Sequence, residues 1–441
     1  MQPGELTILG GGPAGLAAAF YAHRQGVSCA LYERGEPGGL CRTFRCGEHA
    51  YDSGAHRFHD RDREVTADVR QLLGDAIGRV HSRSTIFDEG RCIDFPPTPL
   101  NLLRTRGARH MARACFEIVA ARLSRRHERS FEDFAVRRFG RSLARRYLLD
   151  YSEKVWGHPA AELSPDIATS RLSGMSLRTL CLELVAPSRV TSHIDGEFLY
   201  PRDGYGSIAA ALVAALPGDA IATGREVVGL RCVDRRVQQI EFASGECVAP
   251  ADRVLSTLPL TVLVKLLGGA LPPHIVEAAR TLRFRTVRLL FLRLARAHVS
   301  DAATLYFPDR AMCVTRAHEP KNRSLRMAPS HETSLVAEVP CFVGDDVHAL
   351  ADHAIAARVT GELAATGLIA ATDVVEWRHH WLHAAYPVYR IGYAETLRQV
   401  LDALRAIDNL DTLGRGARFI YSHLHDQLRW AKDYAAALRA R

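Results

Sequence analysis

The chain has 441 residues, 47% of them hydrophobic and 24% charged, with a formal net charge of +8. That length gives room for two or three domains and a large core, and the composition excludes a disordered polymer. No apolar run approaches the roughly 18 residues that span a bilayer. A first strand is expected within ten residues of Met1, with no secretory or transit peptide ahead of it. Ten scattered cysteines without a CxxC pair argue against zinc and a disulfide framework, and for a reducing, cytoplasmic setting. The excess charge is nearly all arginine, since lysine occurs only at Lys154, Lys265, Lys321 and Lys432. Arginine forks suit phosphate and carboxylate groups, so a small anionic ligand is expected.

The chain opens on a βαβ pattern. Ile8 and Leu9 lead into Gly10-Gly11-Gly12-Pro13-Ala14-Gly15, a helical pattern runs from Leu16 to Arg24, and the apolar run Val27 to Tyr32 ends at Glu33. An acid 18 residues beyond the last glycine completes the pattern of a dinucleotide site. Gly10 permits the tight turn, Gly12 lets backbone approach a pyrophosphate, and Gly15 lets helix and strand pack closely. Pro13 and Ala14 open the helix, whose free N–H groups and dipole favour phosphate. Glu33 is placed to accept from ribose hydroxyls. Arg34 follows, and then Gly38-Gly39-Leu40-Cys41-Arg42-Thr43.

Together these motifs resemble the FAD fingerprint of the amine oxidase, protoporphyrinogen oxidase and UDP-galactopyranose mutase superfamily. The resemblance implies an α/β fold: a Rossmann-type FAD-binding domain of the GR2 class, an inserted helical domain and a mixed-sheet substrate domain. It implies that Arg34, Gly39, Leu40 and Arg42 serve the ribityl and pyrophosphate part of FAD. The run Gly54-Ala55-His56-Arg57-Phe58-His59 is similar to one that lies against the flavin in the mutases, so Gly54, Ala55 and His56 are expected there.

A helix is expected over Asp62 to Leu73, and Arg83 to Pro96 reads as a hairpin turning at Glu89-Gly90. Prolines 96, 97 and 99 then break the chain. The FAD-binding domain is expected in three pieces, 1–95, 196–275 and 381–441. The helical insert takes 96–195 and the substrate sheet 276–380. Within the insert, the run from Ser130 to Gly140 and that from Tyr151 to Gly157 resemble the mutases. They are still closer to poorly characterised relatives of protoporphyrinogen oxidase. The resemblance implies Trp156 as a platform for a nucleotide base and Arg171 as a diphosphate ligand; a core aromatic is the equal alternative for Trp156. The arginines between Arg104 and Arg146 read as a solvated helix face in preference to a membrane-surface one. No nucleic-acid module is evident.

Val227, by resemblance, holds the adenine edge through its backbone. Arg283, Arg285, Arg288 and Arg293 nearly alternate along the substrate sheet, and some are expected to face a pocket. In the last segment, the resemblance places Gly414-Arg415 on a strand passing the flavin. It also aims the N-terminus of a closing helix, expected over Asp426 to Arg439, at the flavin pyrimidine, with Leu424 just ahead of it among the cofactor contacts and with Tyr386, Arg415 and Tyr421 holding substrate. His423, Leu424 and His425 depart from the mutases, which carry acids around a methionine there, and Leu255 to Leu267 follows the protoporphyrinogen oxidase relatives. His379 and His383, four apart, could share a helix face, but no carboxylate completes a metal site.

No Ser-His-Asp set, metal cluster or P-loop is present, so a bound flavin must carry the reaction. The expectation is an FAD-dependent oxidoreductase moving hydride to flavin from a small anionic substrate, such as a nucleotide sugar, with Arg415 and His56 as catalytic candidates. The alternative is a non-redox enzyme resembling UDP-galactopyranose mutase, interconverting pyranose and furanose forms. A homodimer is compatible with either. An escort protein with a decayed flavin site is disfavoured by Glu33, Arg42 and Arg415.

Overall fold

The computed structural model describes residues 5–95, 103–104, 107–121, 128–168 and 197–439 in full, and the backbone of 122–123 and 169–171. The first strand, β1 (Leu6–Leu9), is buried along its whole length. A strand covered on both faces needs no polar alternation, and parallel sheets bury strands this way. On one side β1 pairs in parallel with β2 (Cys29–Tyr32), beyond which lies β9 (Ile221–Ala222). On the other side stand β13 (Arg253–Ser256) and β19 (Leu410–Thr412), also parallel. Three chain segments far apart in sequence thus share one sheet. The helix Pro13–Arg24 covers it, and the helix Leu424–Arg439 packs on that helix through Leu428, Ala431 and Ala435.

The second large sheet has seven strands. Its order is β18 (Val374–Pro387), β14 (Phe284–Leu294), β17 (Thr333–Cys341), β16 (Arg316–His318), β15 (Leu305–Tyr306), β6 (Ser84–Asp88) and β7 (Arg91–Phe95). The β6–β7 hairpin turns at Glu89 and Gly90, both with positive φ (49° and 73°), as a two-residue turn matched to strand twist requires. It corrects one expectation: the sequence assigns this hairpin to the first piece of the FAD-binding domain, yet β6 pairs with β15 in the large sheet. Smaller ladders join β3 (Thr43–Cys46) to β4 (His49–Asp52) and β5 (Ile77–His81) to β8 (Glu197–Pro201). A third ladder joins β10 (Val227–Val233), β11 (Arg236–Phe242) and β12 (Cys247–Val248).

Helices between the two sheet systems form the insert. Phe131–Phe139 starts at a capping box in which Ser130 and Asp133 satisfy each other's backbone N–H groups. Arg141–Ala144 continues through one wide π turn, Arg145–Leu149, into the helix Asp150–Trp156. Its end is fixed to the large sheet by Arg285, which donates to the carbonyls of Val155, Lys154 and Pro340 (3.1, 3.2 and 2.7 Å). Gly157 turns away with φ +69°, and a Cβ there would lie 2.4 Å from the Arg285 guanidinium. Lys154 adds a second tie, donating to the carbonyls of Phe307, Asp309 and Val314 (2.7, 2.7 and 2.8 Å).

Candidate active site

The Gly10–Gly15 turn meets the large sheet around one cavity of about 470 Å³. Gly12, Pro13, Ala14, Gly39, Leu40 and Gly414 line it, as do Gly54, Ala55 and His56, and as do Tyr386, Arg415, Tyr421 and Leu424. Most of the residues expected at a flavin or substrate are therefore brought to one place.

The glycines divide into two kinds. A Cβ at Gly15 would sit 2.0 Å from the Gly10 carbonyl oxygen, and one at Gly10 (φ +99°) would sit 2.7 Å from the Thr257 hydroxyl. These two let helix and strand touch. At Gly12 a Cβ would meet nothing within 4 Å, and the helix that starts there has no side-chain cap. The open side of Gly12 and the uncapped first turn fit a pyrophosphate. Gly39 closes over them, so near that a Cβ on it would lie 3.0 Å from the Gly12 Cα. Glu33 accepts from the N–H groups of Gly11 (2.7 Å) and Gly35 (3.0 Å), and a carboxylate keeps lone pairs for a ribose hydroxyl besides. Arg225 donates its N–H to the Glu33 carbonyl at 2.9 Å, which sets Val227 two residues from the Glu33 end. Arg42 turns to Glu36 (2.5 Å) over the Phe44 ring, and neither it nor Arg34 lines the cavity. The residues present fit FAD.

The large sheet supplies the opposite wall. Arg415 rests against the rings of Tyr386 and Tyr421, 5.1 and 4.5 Å from their centroids. Behind them, Glu338 pairs with Arg316 at 2.8 Å. The Tyr386 hydroxyl accepts from Arg316 (3.0 Å) and donates to Glu338 (3.2 Å). The other Glu338 oxygen accepts from the Ala55 N–H at 3.2 Å, joining the sheet to the flavin-side run. Sequence reasoning misses Arg316 and Glu338. The one signal is an acid inside an otherwise apolar strand, TSLVAEVPC, every residue of which is buried.

His56 bonds the Ser53 hydroxyl through Nε2 (3.1 Å) and stacks on Tyr205. Burial first, then Arg316, Arg323 and Arg415, holds its pKa down to about 3. It stands in the cavity wall as a neutral ring, able to accept a proton but in surroundings that disfavour the charged form. Gly414-Arg415 also departs from expectation: β19 ends at Thr412, and both residues lie in the turns that follow. The last helix opens two residues earlier than expected, at Leu424, which lines the cavity.

Trp156 is fully buried and does not line the cavity. It packs edge-on to Tyr386 and stacks with Tyr389, so the platform role gives way to the core aromatic. Arg171 ends the helix Asp166–Arg171, and its side chain lies outside the described residues. None of the four alternating arginines reaches the cavity. Arg285 caps the insert, Arg288 bonds Asp352 (2.6 Å), Arg293 pairs with Glu332 and Glu376, and Arg283 lies over Phe342. His379 and His383 sit on β18, not on a helix. Among the described residues no group of three or more His, Cys, Asp or Glu could hold a metal ion. Nor is any helix among them long and apolar enough to cross a membrane.

A family model described as flavin containing amine oxidoreductase matches residues 13–410. A reduced UDP-galactopyranose mutase superposes with a TM-score of 0.84 at 22% identity, covering 100% of this chain and 96% of that one. A protein from Exiguobacterium sp. 255-15, provisionally assigned as a protoporphyrinogen oxidase, gives 0.76 at 20% identity, covering 99% and 98%. Putrescine oxidase bound to putrescine gives 0.68 at 16% identity, covering 99% of each chain. At these identities the likeness is one of fold, while the family match spans most of the chain. The chain belongs to the flavin containing amine oxidoreductase family and is a flavoenzyme whose cofactor is FAD.

Proposed function

We propose that this protein is an FAD-dependent oxidoreductase that removes hydride from a small anionic substrate bound against Arg415, Tyr386 and Tyr421. The observation that carries the reading is the charge of the cavity lining: Arg57, Arg61, Arg316 and Arg415 face it, with Glu338 as the sole carboxylate among the described residues. FAD, when bound, supplies the two-electron acceptor. The protein's share is to bind and orient. Arg415 offers a fork to an anionic group while the two tyrosine rings fix its plane. Arg316 and Glu338 fix the Tyr386 hydroxyl through the bonds given above. Phe131, Ile167, Val287 and Leu382 make the apolar part of the lining and keep water from the reacting carbon.

The mutase alternative rests on the same Arg415–Tyr386–Tyr421 group, which would serve the diphosphate of a nucleotide sugar equally well. Anaerobic spectra separate the two. The oxidoreductase reading expects substrate to bleach the flavin band of the oxidised enzyme, with recovery on adding an acceptor. Turnover of a UDP-sugar only after prior reduction, with no net oxidation, would establish the mutase instead. Arg415→Met is expected to weaken substrate binding at least tenfold with flavin content unchanged.

A further inference from the structure

The seven-stranded sheet ends on its longest strand, the 14 residues of β18. Among the described residues β18 pairs with β14 on one side and with no strand on the other. The Val388 N–H donates to the Arg283 carbonyl and the Ala295 N–H to the Asp373 carbonyl, both at 2.9 Å. The odd-numbered residues of β14 therefore bond toward β18, since amide direction alternates along an antiparallel strand. Arg293 stands opposite Glu376, Phe291 opposite Arg378 and Leu289 opposite His380. Those β18 residues point their amides inward, which leaves Trp377, His379 and Trp381 pointing theirs at the open edge. Among the described residues no hydrogen bond reaches the N–H groups of these three, and the Trp377 carbonyl accepts only from the Arg378 side chain (3.1 Å).

Val375 and Trp377 keep 49% and 37% of their surface exposed on that edge, where bare apolar side chains invite pairing with another strand. Between and beside them stand two charges, Glu376 and Arg378, on the face where Phe44 stacks on His380. Charges of one sign guard an edge, because like charges set opposite each other repel. Here the signs are opposite and flank Trp377. A two-fold axis through Trp377 sets Glu376 of each copy against Arg378 of the other, with tryptophan against tryptophan. An axis one residue further on, at Arg378, sets arginine against arginine. Within one chain Arg378 bonds Glu376, which also accepts from Arg293 at 3.1 Å. Glu376 thus keeps its cations whichever copy supplies the second arginine.

We propose that β18 joins two copies of this chain edge to edge, antiparallel about Trp377, into one continuous sheet. The Trp377 N–H and carbonyl of each copy exchange hydrogen bonds across the axis, and Arg378 leaves its own Trp377 carbonyl for Glu376 of the second copy. Val375 and Trp377 of both copies lose water in the seam. β18 carries one extra residue at Val375, where its register with β14 shifts, and a bulge bends the strand there. Regular pairing is therefore short, and an interface at the small end of the range is reversible.

Sedimentation velocity of the full, FAD-loaded chain over about 1–100 μM is the test. Wild type should pass reversibly from monomer to dimer across that range. Arg378→Glu sets acid against Glu376 of the second copy, and Trp377→Lys sets two cations on the axis. Each should weaken association by roughly tenfold or more, with flavin content unchanged. Glu376→Arg should also stay monomeric alone, yet form a heterodimer when mixed with Arg378→Glu, since every mismatch then meets its opposite. Should Glu376→Arg fail to fold beside Arg293, Glu376→Gln replaces it, and its mixture with Arg378→Glu should associate more tightly than Arg378→Glu alone. A wild type that stays monomeric throughout, a dimer that Arg378→Glu and Trp377→Lys leave intact, or a mixture that gains nothing over its parts would overturn the interface.

Discussion

On one side of the cavity the chain presents backbone, and on the other it presents ionised side chains. The Gly10–Gly15 turn works through what it omits: no Cβ stands between the helix N-terminus and a phosphate. The large-sheet wall works through what it adds: Arg316, Glu338 and Tyr386 form one hydrogen-bonded group, and Arg415 stacks on it from the turn after β19. A backbone site is specified by a few consecutive residues, and its helix and strand are fixed by local geometry. A side-chain site needs strands from remote parts of the chain to arrive in register. The first tolerates almost any change nearby except added volume; the second tolerates volume better than loss of a partner.

The largest effect should come from adding one methyl group to the backbone wall. Gly15→Ala puts a Cβ 2.0 Å from the Gly10 carbonyl, and a rigid backbone contact of that kind should cost about 3 kcal/mol or more. Gly12→Ala adds the same atom where nothing lies within 4 Å and the backbone is extended (φ −73°, ψ −179°). It should leave the cofactor-free protein within about 1 kcal/mol of wild type while cutting FAD retention at least tenfold. Urea midpoints of the apoproteins and flavin absorbance per chain after desalting read the two effects apart. An equal loss of stability in both variants would show that Gly12 serves packing and not the cofactor.

That contrast explains what is legible in the sequence alone. The FAD turn is legible because its chemistry lies in adjacent residues: Gly10 through Gly15, then Glu33 at the end of the next strand. The opposite wall is legible only by resemblance, at Tyr386, Arg415 and Tyr421. Arg316 and Glu338 face each other because β16 and β17 pair with that register, and Tyr386 reaches them from β18 across β14. Nothing local announces a three-residue strand such as Arg316–His318. The strands Ser84–Asp88 and Arg91–Phe95 can be read as a hairpin, turn included, but their sheet cannot, because pairing to β15 is a tertiary fact. Trp156 shows the limit of resemblance. The residue type sits at the matching place, yet the ring is fully buried against Tyr386, which lines the cavity, and Tyr389, which does not.

A smaller effect follows at that tryptophan. Trp156→Ala empties a fully buried site and should cost about 3–5 kcal/mol, whereas Trp156→Phe keeps most of the packing and should cost about 1–2 kcal/mol. Because the ring lies behind Tyr386, the Phe variant should bind substrate within about twofold of wild type. A tenfold loss of affinity with unchanged stability would return Trp156 to the cavity wall.

The smallest effect is one of acidity, and it belongs to the seam where the two walls meet. His56 and His59 both line the cavity. Burial, with Arg316 beside the first and His423 beside the second, holds each near a pKa of about 3. An unfolded chain would protonate them near 6.5. Between those values the unfolded state binds protons that the folded state refuses, so stability must fall as pH falls, and be fully present above about 6.5. By pH 5.5 each ring should account for about 1 kcal/mol, before most carboxylates begin to titrate. Melting temperatures of wild type and His59→Gln at pH 7.5 and 5.5 test this: the wild type should lose more on acidification than the variant. Equal losses would mean that water or an anion reaches His59 and lets it charge in the folded state. The cavity would then be less closed at its histidine seam than at either wall.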